Sequence, residues 1–462
     1  MAAKDTHLTA SARPQVLRFN GLTKVLLALA FLLIFGVAEA YAAVSGAMLY
    51  RMRYTSEGDK SDQAVAIAIG PRNTVYLTGT SGSDYATIKY SRSGALRWVS
   101  RYTGPELSSP SHPSAMAVDS RGNVYVTGSS PGVWTGLDFA TVKYGPRGGL
   151  RWVKRFNDKF GGNDMAKDIV VGSTGVYVTG ASPGLWTQMD YTTIKYGFDG
   201  RKLWIKRYNS PGNDEDTPAK IAVDGSDNVY VTGTSASDYA TVKYSPAGRL
   251  RWVRKYDGPA NNMDAATDLA VDVAGNVYVT GASNGPGGPM DSDIATVKYN
   301  TAGVKQWAQR YDGPAHGSDY GTAIKVDRGG NVYMAGSSSN APGTADGADY
   351  VTIKYNSAGA QQWLQRQTDF ELPAAMTLDK NNNVYVTGED FSSGMYGSIN
   401  YGTVKYDTNG NPLWIQAYKG PTSNLNLAND IAVDRAGAAY VTGSSLRMFD
   451  MGFDYMTVKY AP

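Results

Sequence analysis

The stretch NVYVTG occupies residues 123–128 and returns unchanged at 228–233, 276–281 and 383–388. Near copies stand at 74–79 (TVYLTG), 175–180 (GVYVTG), 331–336 (NVYMAG) and 438–443 (AAYVTG). The copies align on Tyr76, Tyr125, Tyr177, Tyr230, Tyr278, Tyr333, Tyr385 and Tyr440, at intervals of 49, 52, 53, 48, 55, 52 and 55 residues. A repeat of this length is one supersecondary unit that cannot bury its own faces and must stack on its neighbours, and the interval is that of propeller blades.

Each unit reads as four short strands. In the fourth copy these are KIAVD (Lys220–Asp224), VYVTGTS (Val229–Ser235), DYATVKY (Asp238–Tyr244) and LRWVRKY (Leu250–Tyr256). Val, Ile, Tyr, Thr and Trp suit pleated surfaces, while Gly, Asn, Asp and Pro between them supply tight turns. Alternation is weak because both parities are apolar or aromatic, which is the pattern of a sheet covered on both faces. The last copy stops after three strands, at DYMTVKYAP (454–462), with no Trp-bearing fourth. The first full copy is preceded by SGAMLYRMRY (45–54), which shares its opening Ser-Gly-Ala and closing Arg-Tyr with the fourth-strand segment SGALRWVSRY (93–102). The expectation is an all-β, eight-bladed β-propeller, closed by an N-terminal strand that completes the last blade and removes both open sheet edges.

The unit AVDxxGNVYVTG followed by DYATVKYxxxGxxxW resembles the SBBP-type β-propeller repeat of bacterial and archaeal secreted and surface proteins, over roughly residues 45–462. The resemblance implies the fold and a surface or secreted setting, and it implies no chemistry. The GxxxW corner also resembles the tryptophan-docking corner of eight-bladed quinoprotein dehydrogenases. Those enzymes carry a vicinal cysteine pair, and this chain has no cysteine.

The absence of cysteine also rules out disulfides, thiolate nucleophiles and Cys-based metal sites. Formal net charge is +3, with four basic and two acidic residues in the first 42 positions, so the remainder is nearly neutral. That balance gives no electrostatic case for nucleic acid. Residues 24–43, KVLLALAFLLIFGVAEAYAA, read as the end of a signal peptide over 1–42. Its n-region is 1–24 and its h-region 25–38, and cleavage is expected after Ala42, with Ala40 the second choice. An uncleaved anchor is the rival reading, since Val25–Ala43 nearly reaches bilayer length. The expected product is an exported, monomeric single domain over 43–462 with no membrane span.

Repeated residues argue for blade architecture, because a catalytic group is needed once and a blade contact eight times. This applies to Lys89, Lys143, Lys195, Lys243, Lys298, Lys354, Lys405 and Lys459, and to the aspartates five residues earlier, from Asp84 to Asp454, with Asn400 in the seventh copy. Five apart on a strand means opposite faces, so each Asp and Lys is expected to find its partner elsewhere, such as on the next blade. The Trp series (Trp98, Trp152, Trp204, Trp252, Trp307, Trp363, Trp414) should fill the gaps between outer strands. Asp62, Asp164, Asp216, Asp264, Asp319 and Glu371 read as caps of loop N–H groups, since single carboxylates on different blades do not make a calcium site. Only His7, His112 and His316 are available as histidines, and no GxSxG elbow, Walker loop or GxGxxG follows a strand. No catalytic set, cofactor or metal is therefore assigned.

Variation concentrates in the connections between second and third strands. These loops carry apolar residues out of phase with the blade pattern: Trp134, Trp186, Met290, Phe391, Tyr396, Met448, Phe449 and Phe453. They are the candidate ligand contacts, set against the alternative that they fold back over their own blades. The function expected is a binding or scaffold protein of the cell envelope or exterior that recognises a protein or glycan. The alternatives are a propeller enzyme of lactonase, lyase or glycosidase type with carboxylates at the channel mouth, or a structural surface component.

Overall fold

The computed structural model describes residues 46–58, 61–106, 109–159, 161–285, 288–341, 347–391, 398–420, 425–447 and 452–462. The signal peptide expected over 1–42 lies outside the described residues. Among those described, no helix is long and apolar enough to cross a membrane.

Eight four-stranded antiparallel sheets form the blades of a propeller. Blades 1 to 7 span 62–102, 112–156, 165–208, 216–256, 264–311, 319–367 and 372–418, and blade 8 combines 426–460 with 48–54. The strand Met48–Tyr54 pairs with Phe453–Tyr460 in the register Arg51↔Val458 and Met52↔Thr457, so the ring closes as the sequence predicts. Strands 1 line the channel and strands 4 form the rim. Turns 1–2 and 3–4 lie on one side of the disc, connections 2–3 and 4–1 on the other.

Blade 2 explains the repeated stretch letter by letter. Asp119, four residues before Asn123, caps the turn: its Oδ1 accepts from Arg121 N–H and Asn123 N–H at 2.9 and 2.8 Å. Its Oδ2 accepts from Asn123 Nδ2 at 2.7 Å and Tyr125 Oη–H at 3.2 Å. Val124 and Val126 are core against blade 1, and Tyr125 between them is core on the opposite flank, against blade 3. Thr127 shares a hydroxyl hydrogen bond with Thr141 of strand 3 at 3.0 Å. Gly128 is required because a Cβ there would stand 2.5 Å from Pro113 Cα and 2.8 Å from Tyr85 Oη of the preceding blade. Strand 1 crowds it through a bulge opposite the Gly-Thr step, repeated in every blade. That bulge lets strand 1 run on. In blade 4 it covers Asp216–Val223, four residues earlier than the pattern KIAVD suggests.

Blades lock through the corner residues. Trp98 donates from Nε1 to Pro146 O of the next blade at 3.2 Å, with its ring between Tyr76 and Tyr144. Lys89 donates to the same carbonyl at 3.1 Å while lying 4.9 Å over the Tyr76 ring. The lysines thus do bridge blades. The aspartates do not. In blades 1 to 6 each pairs with a basic residue 17 positions on, in strand 4 of its own blade, as in Arg155–Asp138 at 2.6 Å and Arg366–Asp349 at 2.8 Å. In blade 8 the closing strand takes that part, and Asp454 pairs with Arg53.

Candidate functional site

The long 2–3 connections of blades 2 and 3 are extensions of the blade ladder rather than irregular loops. Strand 2 of blade 2 runs to Gly132 and strand 3 starts at Gly136, with Pro131↔Leu137 and Gly132↔Gly136 paired. In blade 3 the pairing continues to Pro183↔Met189. The tips carry Val133–Trp134 and Leu185–Trp186.

Trp134 is 98% exposed and Trp186 90% exposed, so neither folds back as a lid. Both sit in the left-handed region, at φ 67° and 62°. A bulky residue there costs on the order of 1–3 kcal/mol, and such strain persists only where surrounding structure over-determines it. The bracing is visible. Thr135 Oγ1 donates to Asp138 Oδ1 at 2.9 Å, and Arg155 holds Asp138 at 2.6 Å while also donating to Ser130 O and Pro131 O. Thr187, Asp190 and Arg207 repeat the chain in blade 3, with Arg207 Nη1 2.9 Å from Asp190. Each ring is therefore presented on a stiff stalk.

Among the other candidates, Phe391 and Phe453 are half-buried. Met290 has its backbone in strand 3 of blade 5, Gly288–Tyr299, but its side chain, with Tyr396, Met448 and Phe449, lies outside the described residues.

The five aspartates of the acidic cap series each accept from a loop N–H, as expected. Asp216 Oδ2 accepts from Ser210 N–H and Asp264 Oδ2 from Gly258 N–H, each at 2.6 Å. Burial pushes these carboxyls up, and Asp319, with Asp312 and Asp293 adding repulsion, reaches about 6. At two junctions, caps on different blades do converge with other carboxylates: Asp238, Asp257 and Asp264, and Asp293, Asp312 and Asp319, each set within 4.8 Å. Lys255 lies 3.2 Å from Asp238 and Arg310 2.6 Å from Asp293, and His316 Nδ1 is 2.6 Å from Asp312, so cations of the chain already offset the acids.

The sequence reading named the channel mouth as a place for carboxylates but identified none of the residues that line the channel. A cavity of about 370 Å³ lies there, lined by strand 1 of all eight blades. One repeat position, opposite the Thr of VYVTG, reads Ala66, Ala115, Asp168, Lys220, Asp268, Ala323, Ala375 and Asp430 in blades 1 to 8. Lys325 reaches in from two residues further along blade 6. Strand 1 has no strand beyond it, so its edge groups need other partners. The preceding blade supplies some: Ser114 Oγ donates to Ala166 O at 2.8 Å, and Thr267 Oγ1 to Gly321 O at 2.6 Å. Asp168 accepts from Ile221 N–H at 3.0 Å, Asp268 from Ile324 N–H at 2.9 Å and Asp430 from Ile67 N–H at 2.9 Å. Burial pushes the Asp168 carboxyl up and Lys220 pulls it back, while Lys220 itself is raised by Asp168. The signal was the head letter of AIAI, AMAV, DIVV, KIAV, DLAV, AIKV, AMTL and DIAV, which changes between Ala, Asp and Lys, with the third letter adding Lys325 in AIKV.

The SBBP β-propeller repeat family matches residues 100–132 and 203–240, and the chain carries that repeat. No curated protein matches the chain. Among solved structures, the polysaccharide lyase Uly1 is 10% identical, with 90% of this chain and 99% of that one covered at a TM-score of 0.48. A protein from Lactobacillus plantarum is 15% identical, covering 78% and 96% at 0.46. The Pan2 WD40 domain of Neurospora crassa is 12% identical, covering 76% and 89% at 0.45.

Proposed function

We propose that this SBBP-repeat propeller is an exported binding protein that recognises a glycan or protein surface through the loop side of its disc, with Trp134 and Trp186 as anchors. The observation that carries the reading is the pair of almost fully exposed indoles held in left-handed tips on adjacent blades. Exposed tryptophan on a strained, braced turn contributes nothing to the core, and a partner that covers it recovers on the order of 150–250 Å² of apolar surface per ring. The leader-like residues 24–43 support export.

The test is a glycan array and a pull-down with the purified protein, followed by Trp134→Ala and Trp186→Ala. Each substitution should weaken binding by about tenfold or more, as for a hot spot. The thermal midpoint should stay unchanged or rise, because alanine and tryptophan face the same positive φ and neither ring is packed. Retained binding in the double variant would sink the reading.

A further inference from the structure

At two of the three junctions where an inner-strand aspartate caps the next blade, that next blade also supplies a lysine. Lys220 of blade 4 stands 3.7 Å from Asp168, and Lys325 of blade 6 stands 3.3 Å from Asp268. Asp430 repeats only the backbone half of this arrangement: Oδ2 accepts from Ile67 N–H at 2.9 Å and Oδ1 from its own neighbour Ile431 N–H at 2.8 Å. Blade 1 has Ala66 where blade 4 has Lys220, and Ala68 where blade 6 has Lys325. Among the described residues no Lys or Arg lies within 4 Å of Asp430. The channel thus holds two compensated pairs on blades 3 to 6, and on the opposite side one carboxylate facing two methyl groups where the other junctions hold an ammonium.

The fold does not demand these charges. Ala66, Ala115, Ala323 and Ala375 fill the same position in four blades of the same ring. Lys220 and Lys325 act on Asp430 only from across the channel, where three carboxylates face two ammonium groups, and a partly buried carboxylate with no ammonium in contact is a cost that a ligand can offset.

We propose that the channel binds a primary ammonium group at Asp430, in the place that lysine side chains occupy at the two sister junctions. The carrier is a small organic amine, or the lysine side chain of a partner reaching down the channel. Asn429, exposed to the channel beside it, commits Nδ2 to Ala64 O at 2.7 Å and keeps its carbonyl oxygen as a neutral acceptor. A guanidinium fits less well, because its fork wants both carboxylate oxygens and each already holds a backbone N–H. A divalent metal fits less well again, since one carboxylate falls far short of six to eight oxygens and two lysines share the cavity.

Calorimetric titration of the purified protein with butylammonium chloride at low ionic strength tests this. Tetramethylammonium, with the charge but no N–H, and butylguanidinium serve as controls. Nα-acetyl-lysine amide separates the two sources: binding of both amines fits a partner's side chain, and binding of butylammonium alone fits a free small amine. Saturable one-to-one binding of butylammonium is expected, weakened at least tenfold by Asp430→Asn. Ala68→Lys keeps the carboxylate and its two backbone bonds but supplies an internal ammonium copied from Lys325. It should also weaken binding at least tenfold while the thermal midpoint holds or rises. Absence of saturable binding, equal binding of tetramethylammonium, or wild-type affinity in Ala68→Lys overturns the proposal.

Discussion

The adjacent glycines 148 and 149 allow the blade corner to be tested one atom at a time. Gly148 has φ +85°, and a Cβ there would stand 2.8 Å from Trp98 Cδ2 and 2.9 Å from its Cγ. Gly149 meets nothing within 4 Å. Alanine at 148 costs about 1–2 kcal/mol in the left-handed region. It also pushes the Trp98 ring off the corner, threatening the Nε1 bond to Pro146 O at 3.2 Å, worth about 1 kcal/mol, and some of the ring's contact with Tyr76 and Tyr144. Gly148→Ala should therefore destabilise by about 2–4 kcal/mol. Gly149→Ala should be neutral or stabilise by up to about 1 kcal/mol through the unfolded chain. Urea denaturation followed by tryptophan fluorescence measures both, with the Gly148 variant showing a lower midpoint at unchanged slope. Two variants within about 0.5 kcal/mol of each other would refute the claim that the corner glycine exists to seat the preceding blade's indole.

Three further outcomes follow from the same geometry. Arg155→Ala leaves the buried Asp138 without its partner and should cost about 3–5 kcal/mol, whereas Arg101→Ala removes a looser, more exposed 3.7 Å pair with Asp84 and should cost under about 1 kcal/mol; denaturant midpoints compare them. Asp319 is raised from 3.8 to about 6 in the fold, so the folded state holds its proton more tightly than the unfolded chain. Its penalty is present above pH 6 and fades as pH falls toward 4, so Asp319→Asn should remove a negative slope of stability against pH in that window, while an unchanged slope would contradict the assignment. Thr141→Val removes the partner of Thr127 and buries an unpaired hydroxyl, at about 1–3 kcal/mol by thermal midpoint, whereas Thr352→Val, opposite Ala335, should cost little.

Much of the fold was legible because the blade is written eight times. Turn chemistry placed three of the four strands of blade 4 to the residue, and the truncated last copy with its match at 45–54 gave the closure. Strand 1 was misplaced because its bulge breaks the two-residue alternation. The aspartates' partners were missed because the reading, having excluded a partner within the strand, looked to the next blade, although the spacing of 17 to a basic residue in blades 1 to 6 was in the sequence. The residues lining the channel were missed for a related reason: repetition points to what is the same in every copy, whereas the informative position is the one that varies between Ala, Asp and Lys. Exposure of Trp134 and Trp186 was not decidable from sequence, since a tip aromatic packs down or stands free according to backbone handedness at a single residue.

The two faces, the channel and the junction at Asp430 all depend on the N-terminal strand sealing blade 8 in the register Arg51↔Val458. The chain has no cysteine, so a double substitution Arg51→Cys, Val458→Cys has one possible intramolecular disulfide. Mild oxidation should link the pair quickly and raise the thermal midpoint, while the control Arg51→Cys, Thr457→Cys, whose side chains point to opposite faces, should stay reduced. A first pair that keeps both thiols free under those conditions, or equal cross-linking of the control, would contradict a closed ring in this register.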